Sequence, residues 1–377
     1  MISDNAYSIL AVLTNDIANI EISDRIKKLN IMNDYESYLF PVIYVDVYLT
    51  IEEYNYIKNK DDTKLRMSCK KFKLDNNGYL SSQYTDVFRN LEFAILNKDN
   101  LYIQTNNTNT NSQSQNMFDV RLIVMNVDDL NGNKKSIYGN FINTDLQRVI
   151  YYIINKLGQD KKTVLEQPDN IKVYDQIMLP YNTPYRQLVY LDTVYGLYQN
   201  GLKLFFDLDK NYIINKNETK VSYKETIIEI RNNIDLLLDT QETDSNRLIV
   251  PSNAMRYVSI NKAREEFIGN NNAFILNDNN KSILTQNTDG NKTNVYYQKY
   301  NNPFVKNIVT SDINSLVQIY IENADYSLFN FVNVFYIEEE KNLFKNQRFN
   351  LAKYQHTFTF NKSRYFTLST IMNLKKI

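Results

Sequence analysis

The first third of the chain carries the hydrophobic pattern of β-strands. Over 43–49 every second residue is aliphatic, and this period of two predicts a strand with one buried face. Over 64–74 the same pattern slips by one residue near Lys70 and Lys71, which predicts a β-bulge. The alternation resumes over 120–124. Together these strands predict a small antiparallel barrel or sandwich.

Two polar segments are predicted to connect these strands. Residues 75–78 read Asp-Asn-Asn-Gly, types that tolerate positive φ, and they predict a hairpin turn. Residues 104–116 consist of Asn, Thr, Ser and Gln, which bury too little apolar area to offset the entropy lost on ordering. We therefore predict a mobile surface loop over 104–116.

The period then changes from two to that of a helix. Apolar residues recur at helical spacing from Leu146 to Leu157, which predicts an amphipathic helix with one apolar stripe. Thr144 and Gln147 have the spacing of a capping box at its start. Gly158 is placed to end the helix in the left-handed conformation.

A second helix and a strand pair are predicted to follow. Thr183 is a suitable N-cap, and Pro184 favours the first helical position. Gly201 is predicted to end this helical segment. Residues 203–207 and 212–214 predict two short strands joined by a polar turn. The middle third is therefore predicted to be α+β.

The last part of the chain returns to strands after a polar, Asn-rich stretch. Residues 317–321 alternate, and 366–374 carry apolar side chains at even offsets along a predicted strand. No strand is assigned within 239–315. A second β-barrel-like unit is predicted to close the chain.

The fold class predicted from these patterns is α+β and mostly β. It consists of two similar antiparallel β-barrel domains with an α+β helical insert between them. The predicted domains are 1–138 for the first barrel, 139–238 for the insert with two helices, and 239–377 for the Asn-rich segment and the second barrel.

Composition narrows the possible partners. Lys+Arg and Asp+Glu both number 43, so no net field draws the chain to nucleic acid or to an anionic membrane. The 30 Tyr and 19 Phe, with no Trp, favour strands and partner surfaces. The single cysteine excludes an internal disulfide, and neither a signal peptide nor a membrane-spanning segment is expected. Assembly in a reducing cytoplasm is therefore expected.

The lone histidine and the lone cysteine are interpreted as structural. Triads and two-histidine metal sites would need several chains, because His356 is the only histidine. It falls on the strand face of Phe358 and Phe360, where a packed side chain is expected. Cys69 shares a face with Met67 and is expected to act as a small hydrophobe.

One segment matches the spacing of an EF-hand calcium loop. Asp207, Asp209, Asn211 and Glu218 stand at positions one, three, five and twelve. The sixth position, where the sharp turn needs Gly, is Tyr212, and the flanks predict strands instead of helices. We interpret the segment as a polar turn between strands, with calcium binding as the alternative.

Other charged runs predict no chemistry. The acidic runs 61–62, 128–129 and 338–340 are interpreted as solvated carboxylates, and the basic pairs 70–71 and 375–376 as soluble strand edges or a tail. The eight glycines form no phosphate-binding loop. No catalytic, cofactor-binding or metal-binding residue is assigned, no cofactor is expected, and the chain is predicted not to be an enzyme.

The order of these elements resembles the central baseplate hub proteins of contractile-tailed, T-even-type phages, which are related to the base of VgrG-type spikes. In that family a helix, a linker, a proline-containing segment entering a second helix and a hydrophobic strand pair follow the first barrel. The segments that resemble this order are 148–158, 179–181, 185–191 and 203–207. The segments that resemble the final hairpin of the second barrel are 348–354, 356–361 and 365–374.

The resemblance implies a homotrimer in which two barrels per subunit make a pseudo-sixfold ring. Such a ring adapts a sixfold tail tube to a threefold central spike. The implied partners are the tail tube protein, the central spike protein and other baseplate proteins of the virion. The ring is expected to enclose a channel for DNA without binding it specifically, because the chain has no net charge.

Three alternatives remain open from the sequence. A distal tail or tube-end protein would form a hexameric ring instead of a trimeric one. A carbohydrate-binding baseplate module would use Tyr-rich loops. An enzyme acting on the cell wall is disfavoured by the lone histidine.

Overall fold

The computed structural model describes seventeen stretches of the chain. They are residues 5–35, 39–59, 62–74, 79–103, 117–158, 161–199, 201–215, 225–231, 247–251, 254–258, 272–275, 283–286, 316–322, 324–326, 334–338, 346–361 and 365–376. The predicted turn at 75–78 and the predicted loop at 104–116 lie outside them.

Within these residues the chain forms four α-helices and 22 strands. The helices are α1 (Ile51–Asn59), α2 (Val127–Lys134), α3 (Leu146–Leu157) and α4 (Pro184–Tyr195). The strands before α3 are β1 (Asn5–Thr14), β2 (Asn19–Glu21), β3 (Ile26–Asp34), β4 (Val42–Thr50), β5 (Lys64–Leu74), β6 (Leu80–Ile95), β7 (Tyr102–Ile103), β8 (Met117–Asn126) and β9 (Ile137–Thr144).

The remaining strands follow α3. They are β10 (Lys162–Leu165), β11 (Tyr174–Asn182), β12 (Leu202–Phe206), β13 (Lys210–Asn215), β14 (Glu225–Arg231), β15 (Arg247–Pro251), β16 (Met255–Val258), β17 (Asn272–Ile275), β18 (Ile283–Gln286), β19 (Leu316–Ile321), β20 (Val334–Glu338), β21 (Arg348–Phe360) and β22 (Phe366–Lys376). The predicted fold class, α+β and mostly β, is confirmed.

Eight strands pair in a closed cycle, which we call the closed sheet. Its order is β1-β5-β6-β8-β4-β3-β21-β22, and β22 returns to β1 through the pair Tyr7 and Phe366. Alternate residues of these strands point inward, as the period of two predicts, and Val45, Val120 and Leu368 are fully buried. Strands from both ends of the chain therefore build one sheet.

The long hairpin β21–β22, which we call the shared hairpin, also belongs to a second sheet. The order of this open sheet is β15-β14-β20-β21-β22-β19-β16. Its β14 pairs in parallel with β15 and β20, and its other pairs are antiparallel. The division into 1–138, 139–238 and 239–377 stays a prediction, and the first and last ranges are joined by hydrogen-bonded strands.

The insert has a core of its own. It contains α3, α4, the two-stranded ribbon β9–β11 and the three-stranded sheet β10-β13-β12. Both faces of β12 and β13 are buried, because neighbouring residues point to different cores. Phe205 and Tyr212 join the main core inside the two sheets, whereas Phe206 and Ile213 join the insert core. This strand pair is therefore the partition between the two cores.

Helix α3 confirms the predicted stripe and corrects its cap. The stripe residues Leu146, Val149, Ile150, Ile153 and Leu157 are buried in the insert core. The N-cap is Asp145 instead of Thr144: an Asp145 carboxylate oxygen accepts a hydrogen bond from the Arg148 backbone N–H at 2.9 Å. Thr144 is the last residue of β9, opposite Tyr174, so its backbone is still extended. Gly158 ends the helix with φ 62°, as predicted.

Helix α4 confirms the predicted start and corrects the predicted end. It begins at Pro184, and Thr183 occupies the N-cap position without a side-chain cap hydrogen bond. It ends at Gly196, with φ 68°, and not at Gly201. Gly196 donates to the Asp192 carbonyl at 2.9 Å, and the Asp192 carboxylate accepts from the Leu197 N–H at 3.0 Å, so the turn closes early.

The predicted bulge lies at the predicted place but on the neighbouring strand. The β5–β6 register shifts at three places, between Met67 and Cys69, between Cys69 and Lys70 and between Phe72 and Leu74, and each time β6 carries the extra residues. Strand β5 pairs with β1 without interruption. Strands β15 to β18 lie within 239–315, where the sequence pattern assigned none.

Candidate assembly surfaces

His356 is a packed interior side chain. It is fully buried, its Nδ1 lies 2.7 Å from the Thr370 hydroxyl, and its ring is 4.3 Å from that of Tyr354. Burial lowers the pKa of His356 to about 3. Phe358 is buried beside it as expected, whereas Phe360, expected on the same face, is partly exposed. The ring is therefore neutral at physiological pH and helps to fill the core.

Cys69 is equally enclosed. It lies in the main core with Met67, and its burial raises the pKa of the thiol. The thiol therefore stays protonated and acts as a small hydrophobe, because the reactive thiolate is disfavoured.

The two described carboxylates of the EF-hand spacing have different surroundings. Asp207 is buried, whereas the Asp209 side chain is 57% exposed and lies 3.4 Å from the Lys210 ammonium. Asn211 is buried in β13, and Glu218 lies outside the described residues. In the described part of the chain, no group of three or more His, Cys, Asp or Glu side chains could hold a metal ion. The polar turn between β12 and β13 is confirmed, and cation binding stays an untested alternative.

A cluster of polar groups joins the partition to the rest of the molecule, and we call it the junction cluster. The Asn33 amide of β3 donates to the Tyr354 hydroxyl of β21 and, at 3.5 Å, to the Asp207 carboxylate. The Lys161 ammonium donates to the Asp207 carbonyl at 2.8 Å and to both Asp129 carboxylate oxygens at 2.7 Å. Burial, and then the neighbouring Asp209, raise the pKa of Asp207 to about 6.

The Asp129–Lys161 pair corrects one prediction from the sequence. The acidic run 128–129 was expected to be solvated, but Asp129 is fully buried in the first turn of α2. A buried carboxylate is tolerated here because Lys161, itself nearly enclosed, neutralises it. No local pattern reveals this pair, since its members are distant in sequence.

The outside of the closed sheet carries paired charges. Arg121 binds both carboxylate oxygens of Asp46 at 2.6 and 2.8 Å, across the β4–β8 pair. This pair leaves that surface without a net charge. Lys71 lies on the same face of β5 as Cys69 and holds the Asp325 carboxylate at 2.9 Å, so the pair 70–71 is not a free strand edge.

The ribbon β9–β11 exposes apolar side chains instead. We call its outer face the ribbon face and define it by Tyr138, Asn140, Ile142, Gln176, Met178 and Tyr181. Strand register sets Ile142 opposite Gln176 and Asn140 opposite Met178, and the ring centroids of Tyr138 and Tyr181 are 6.2 Å apart. The exposed fractions of its large side chains are 69% for Tyr138, 71% for Ile142, 59% for Met178 and 75% for Tyr181. None of the six carries a charge, and the Gln176 amide donates to the Asn140 amide oxygen at 2.9 Å.

A second uncharged surface lies on the outside of the shared hairpin. We call it the hairpin face and define it by Asn30, Met32, Gln355, Thr357, Ile371 and Tyr320. Met32, Gln355, Ile371 and Tyr320 stand opposite one another across β3, β21, β22 and β19. Tyr320 and Ile371 are the most exposed of these, at 41% and 38%. The ion pair Lys353–Asp34, at 3.6 Å, borders the face.

The sequence held a signal for the ribbon face that periodicity alone missed. In β9 and β11 apolar residues stand on both faces, with Ile137 beside Tyr138 and Ile177 beside Met178. A strand with one side on a core needs only one apolar face. The second apolar face therefore indicates a surface that another element can cover.

The comparisons with known proteins place the chain among phage proteins. Residues 1–377 match the family model described as Bacteriophage PBS1 gene 109 protein, and no curated protein matches. The structure is similar to the tail protein of Neisseria meningitidis MC58, with a TM-score of 0.51 and 9% identity over 98% of this chain and 96% of that one. It is also similar to the 43 kDa tail protein of prophage MuSo2 from Shewanella oneidensis, with a TM-score of 0.50 and 10% identity over 97% and 96%.

At such low identity these likenesses establish the fold alone, because proteins with the same fold can have unrelated functions. They confirm that the sequence resemblance pointed to the right class of architecture. Among the described residues, no helix is long and apolar enough to span a membrane.

Proposed function

The chain belongs to the bacteriophage PBS1 gene 109 protein family, and from that premise we propose that it is a structural protein of the phage tail, the hub of the baseplate. In this role it forms a trimeric ring with pseudo-sixfold symmetry in the virion. It joins the tail tube to the central spike and catalyses no reaction.

The observation that carries this proposal is that two sheets share one hairpin. The closed sheet is the candidate first barrel. In the open sheet the two edge strands β15 and β16 are consecutive in the chain, so Pro251 and Met255 lie within ~14 Å of each other. This proximity supports a second sheet whose two edge strands approach each other, as they do in a barrel. Two such units in each of three subunits supply six similar modules around an axis.

The proposed partners follow from this geometry. A ring with six similar modules but true threefold symmetry can meet a sixfold tube on one side and a threefold spike on the other. The central opening is proposed as the DNA channel. The chain has equal numbers of acidic and basic residues, which supports passage of DNA without specific binding of its phosphates.

Counting copies in a tail reconstruction tests the proposal. We expect three copies of the chain in one ring between tube and spike. Six copies would overturn the hub and favour a distal tail or tube-end ring. Binding of the purified chain to a glycan array, or loss of turbidity from a cell-wall suspension, would favour the carbohydrate-binding module or the enzyme instead.

A further inference from the structure

A closed ring of identical subunits needs two unlike surfaces on every chain. In a ring with more than two members, each subunit contacts its neighbours head to tail, so the donor patch and the acceptor patch differ. The interface between copies should therefore be sought as a matched pair of surfaces on one chain. This inference rests on the proposed ring.

The ribbon face has the properties of one such patch. Its two tyrosines, its isoleucine and its methionine are more than half exposed, and together they present on the order of 500 Å² of surface. A stable interface buries about 800 Å² of surface on each partner, so this face supplies more than half of the area that one partner contributes. Aromatic and methionine side chains without charges are typical of an interface centre.

The hairpin face has the properties of the other patch. It is the part of the sheet in which Tyr320 and Ile371 stand directly opposite each other. The Thr357 hydroxyl donates to the Asn30 amide oxygen at 2.9 Å, so the polar groups of this face are partly satisfied within the sheet. The Lys353–Asp34 ion pair at its border has the position of a polar rim.

The two faces match each other and differ from the outside of β4 and β8. Both are sheet surfaces, both lack charged side chains, and both contain tyrosine and isoleucine at exposed positions. The outside of β4 and β8, by contrast, carries the Arg121 guanidinium, which is 40% exposed in its pair with Asp46 and would lose its water in a contact. An uncharged face is therefore best covered by another uncharged face.

We propose that the ribbon face of one subunit packs on the hairpin face of the next copy of this chain. The contact places the insert of one subunit over the hairpin that the two sheets of its neighbour share. It is head to tail, and it buries Ile142 of one copy and Ile371 of the next.

The test measures the mass of the full chain by sedimentation equilibrium. Lysine is introduced once on each face, as Ile142→Lys or Ile371→Lys, because a charge in either face opposes its burial. The matched control is Ile17→Lys, since Ile17 is 76% exposed in the turn between β1 and β2, close to the exposure of Ile142. Melting temperatures establish that all three variants are folded.

We expect the wild type and the control to sediment as three copies and each face variant as one copy. An equimolar mixture of the two face variants should give a two-copy species, because each supplies the face that the other lacks. Mixing therefore tests whether the two faces meet each other.

Every other outcome is decisive. A face variant that keeps the wild-type mass, or a mixture that stays at one copy, would overturn this contact and leave the ring itself standing. A wild-type chain that sediments as a single copy at all concentrations would instead overturn the trimeric hub. Six copies would replace the hub with a tube-end ring.

Discussion

The closed sheet and the insert are both well packed inside, yet their surfaces differ. Around the closed sheet, charges are paired between strands: Asp46 of β4 with Arg121 of the neighbouring β8, and Lys27 of β3 with Asp119 of β8, two strands away. The insert leaves Tyr138, Ile142 and Tyr181 more than half exposed. A surface of paired charges is stable in water alone, whereas a large apolar patch is typical of a contact site. The charged outside of β4 and β8 is therefore suited to water, whereas the ribbon face of the insert is suited to contact with another copy.

The largest expected effect is on the main core. Leu368→Asp should prevent folding, because it places a carboxylate in a fully buried position opposite Phe358, with an expected loss of at least about 4 kcal/mol. The control is Ser369→Asp, whose side chain points outward on the same strand and which should fold. Circular dichroism and solubility measure both. A stable Leu368→Asp variant would show that the inward register of β22 is wrong.

The next effect concerns the boundary between the two regions. Lys161→Ala leaves the Asp129 carboxylate buried without its cation, so we expect a loss of about 3–5 kcal/mol in urea unfolding. The double variant Asp129→Asn/Lys161→Met should recover much of that loss because it removes both charges. The exposed pair Arg66–Glu92 gives the contrast, and Arg66→Ala should cost less than about 1 kcal/mol. Equal losses at the two pairs would contradict the buried placement.

Two buried titrating groups, Asp207 in the junction cluster and His356 on β21, predict opposite pH responses. Asp207 has a folded pKa of about 6, above its unfolded value of about 3.9, so its stabilising contribution is present below pH 4 and is lost as pH rises through 6. His356 has a folded pKa of about 3, below its unfolded value of about 6.5. Its contribution is present above pH 6.5 and is lost as pH falls toward 3.

Single variants should expose these two responses. Between pH 7 and pH 5, the stability of Asp207→Asn relative to wild type should fall by about 1–2 kcal/mol. Over the same interval, the relative stability of His356→Gln should rise by about 1–2 kcal/mol. Urea unfolding at the two pH values measures both changes, and each variant serves as the control for the other. Changes of the same sign would contradict the assignment.

The smallest expected effect is at the start of α3. Asp145→Ala should cost about 1 kcal/mol of unfolding free energy, because it removes the acceptor for the Arg148 N–H. Asp145→Asn should keep most of the stability, since an amide oxygen caps almost as well. Thr144→Val should have less effect than Asp145→Ala. The reverse order, read from thermal unfolding, would restore Thr144 as the cap.

Elements with a clear local period could be predicted from the sequence, whereas their partners could not. The strand over 43–49, the helical stripe from Leu146 and the strand over 366–374 all follow from spacing alone. Nothing local shows that β22 pairs with β1 and that β21 pairs with β3, because strand pairing depends on contacts that are distant in sequence.

The errors at helix ends have a different origin. Thr144 and Asp145 are both good caps and stand one residue apart, and the pairing of Thr144 with Tyr174 in the ribbon decides between them. Gly196 and Gly201 both adopt positive φ, and the hydrogen bonds of Asp192 select the first as the helix end. Tertiary contacts thus chose between residues that local propensity ranks as equals.

The junction cluster was invisible for the same reason. Asn33, Asp207 and Tyr354 come from three distant parts of the chain, and each has an ordinary polar neighbourhood in the sequence. Only the fold brings them together. The ribbon face, by contrast, has a signal in the sequence, the second row of apolar residues in β9 and β11, but a period of two predicts only one buried face.

The shared hairpin also determines when the closed sheet can form during translation. Tyr7 of β1 pairs with Phe366 of β22, and its hydroxyl donates to the Ala324 carbonyl at 2.9 Å, so β1 cannot complete its pairing until β22 has been made. Until the ribosome has translated that far, β1 and β3 keep unpaired edges that invite aggregation. The closed sheet therefore cannot close before β22 has left the ribosome, and its first strands stay incompletely paired until then.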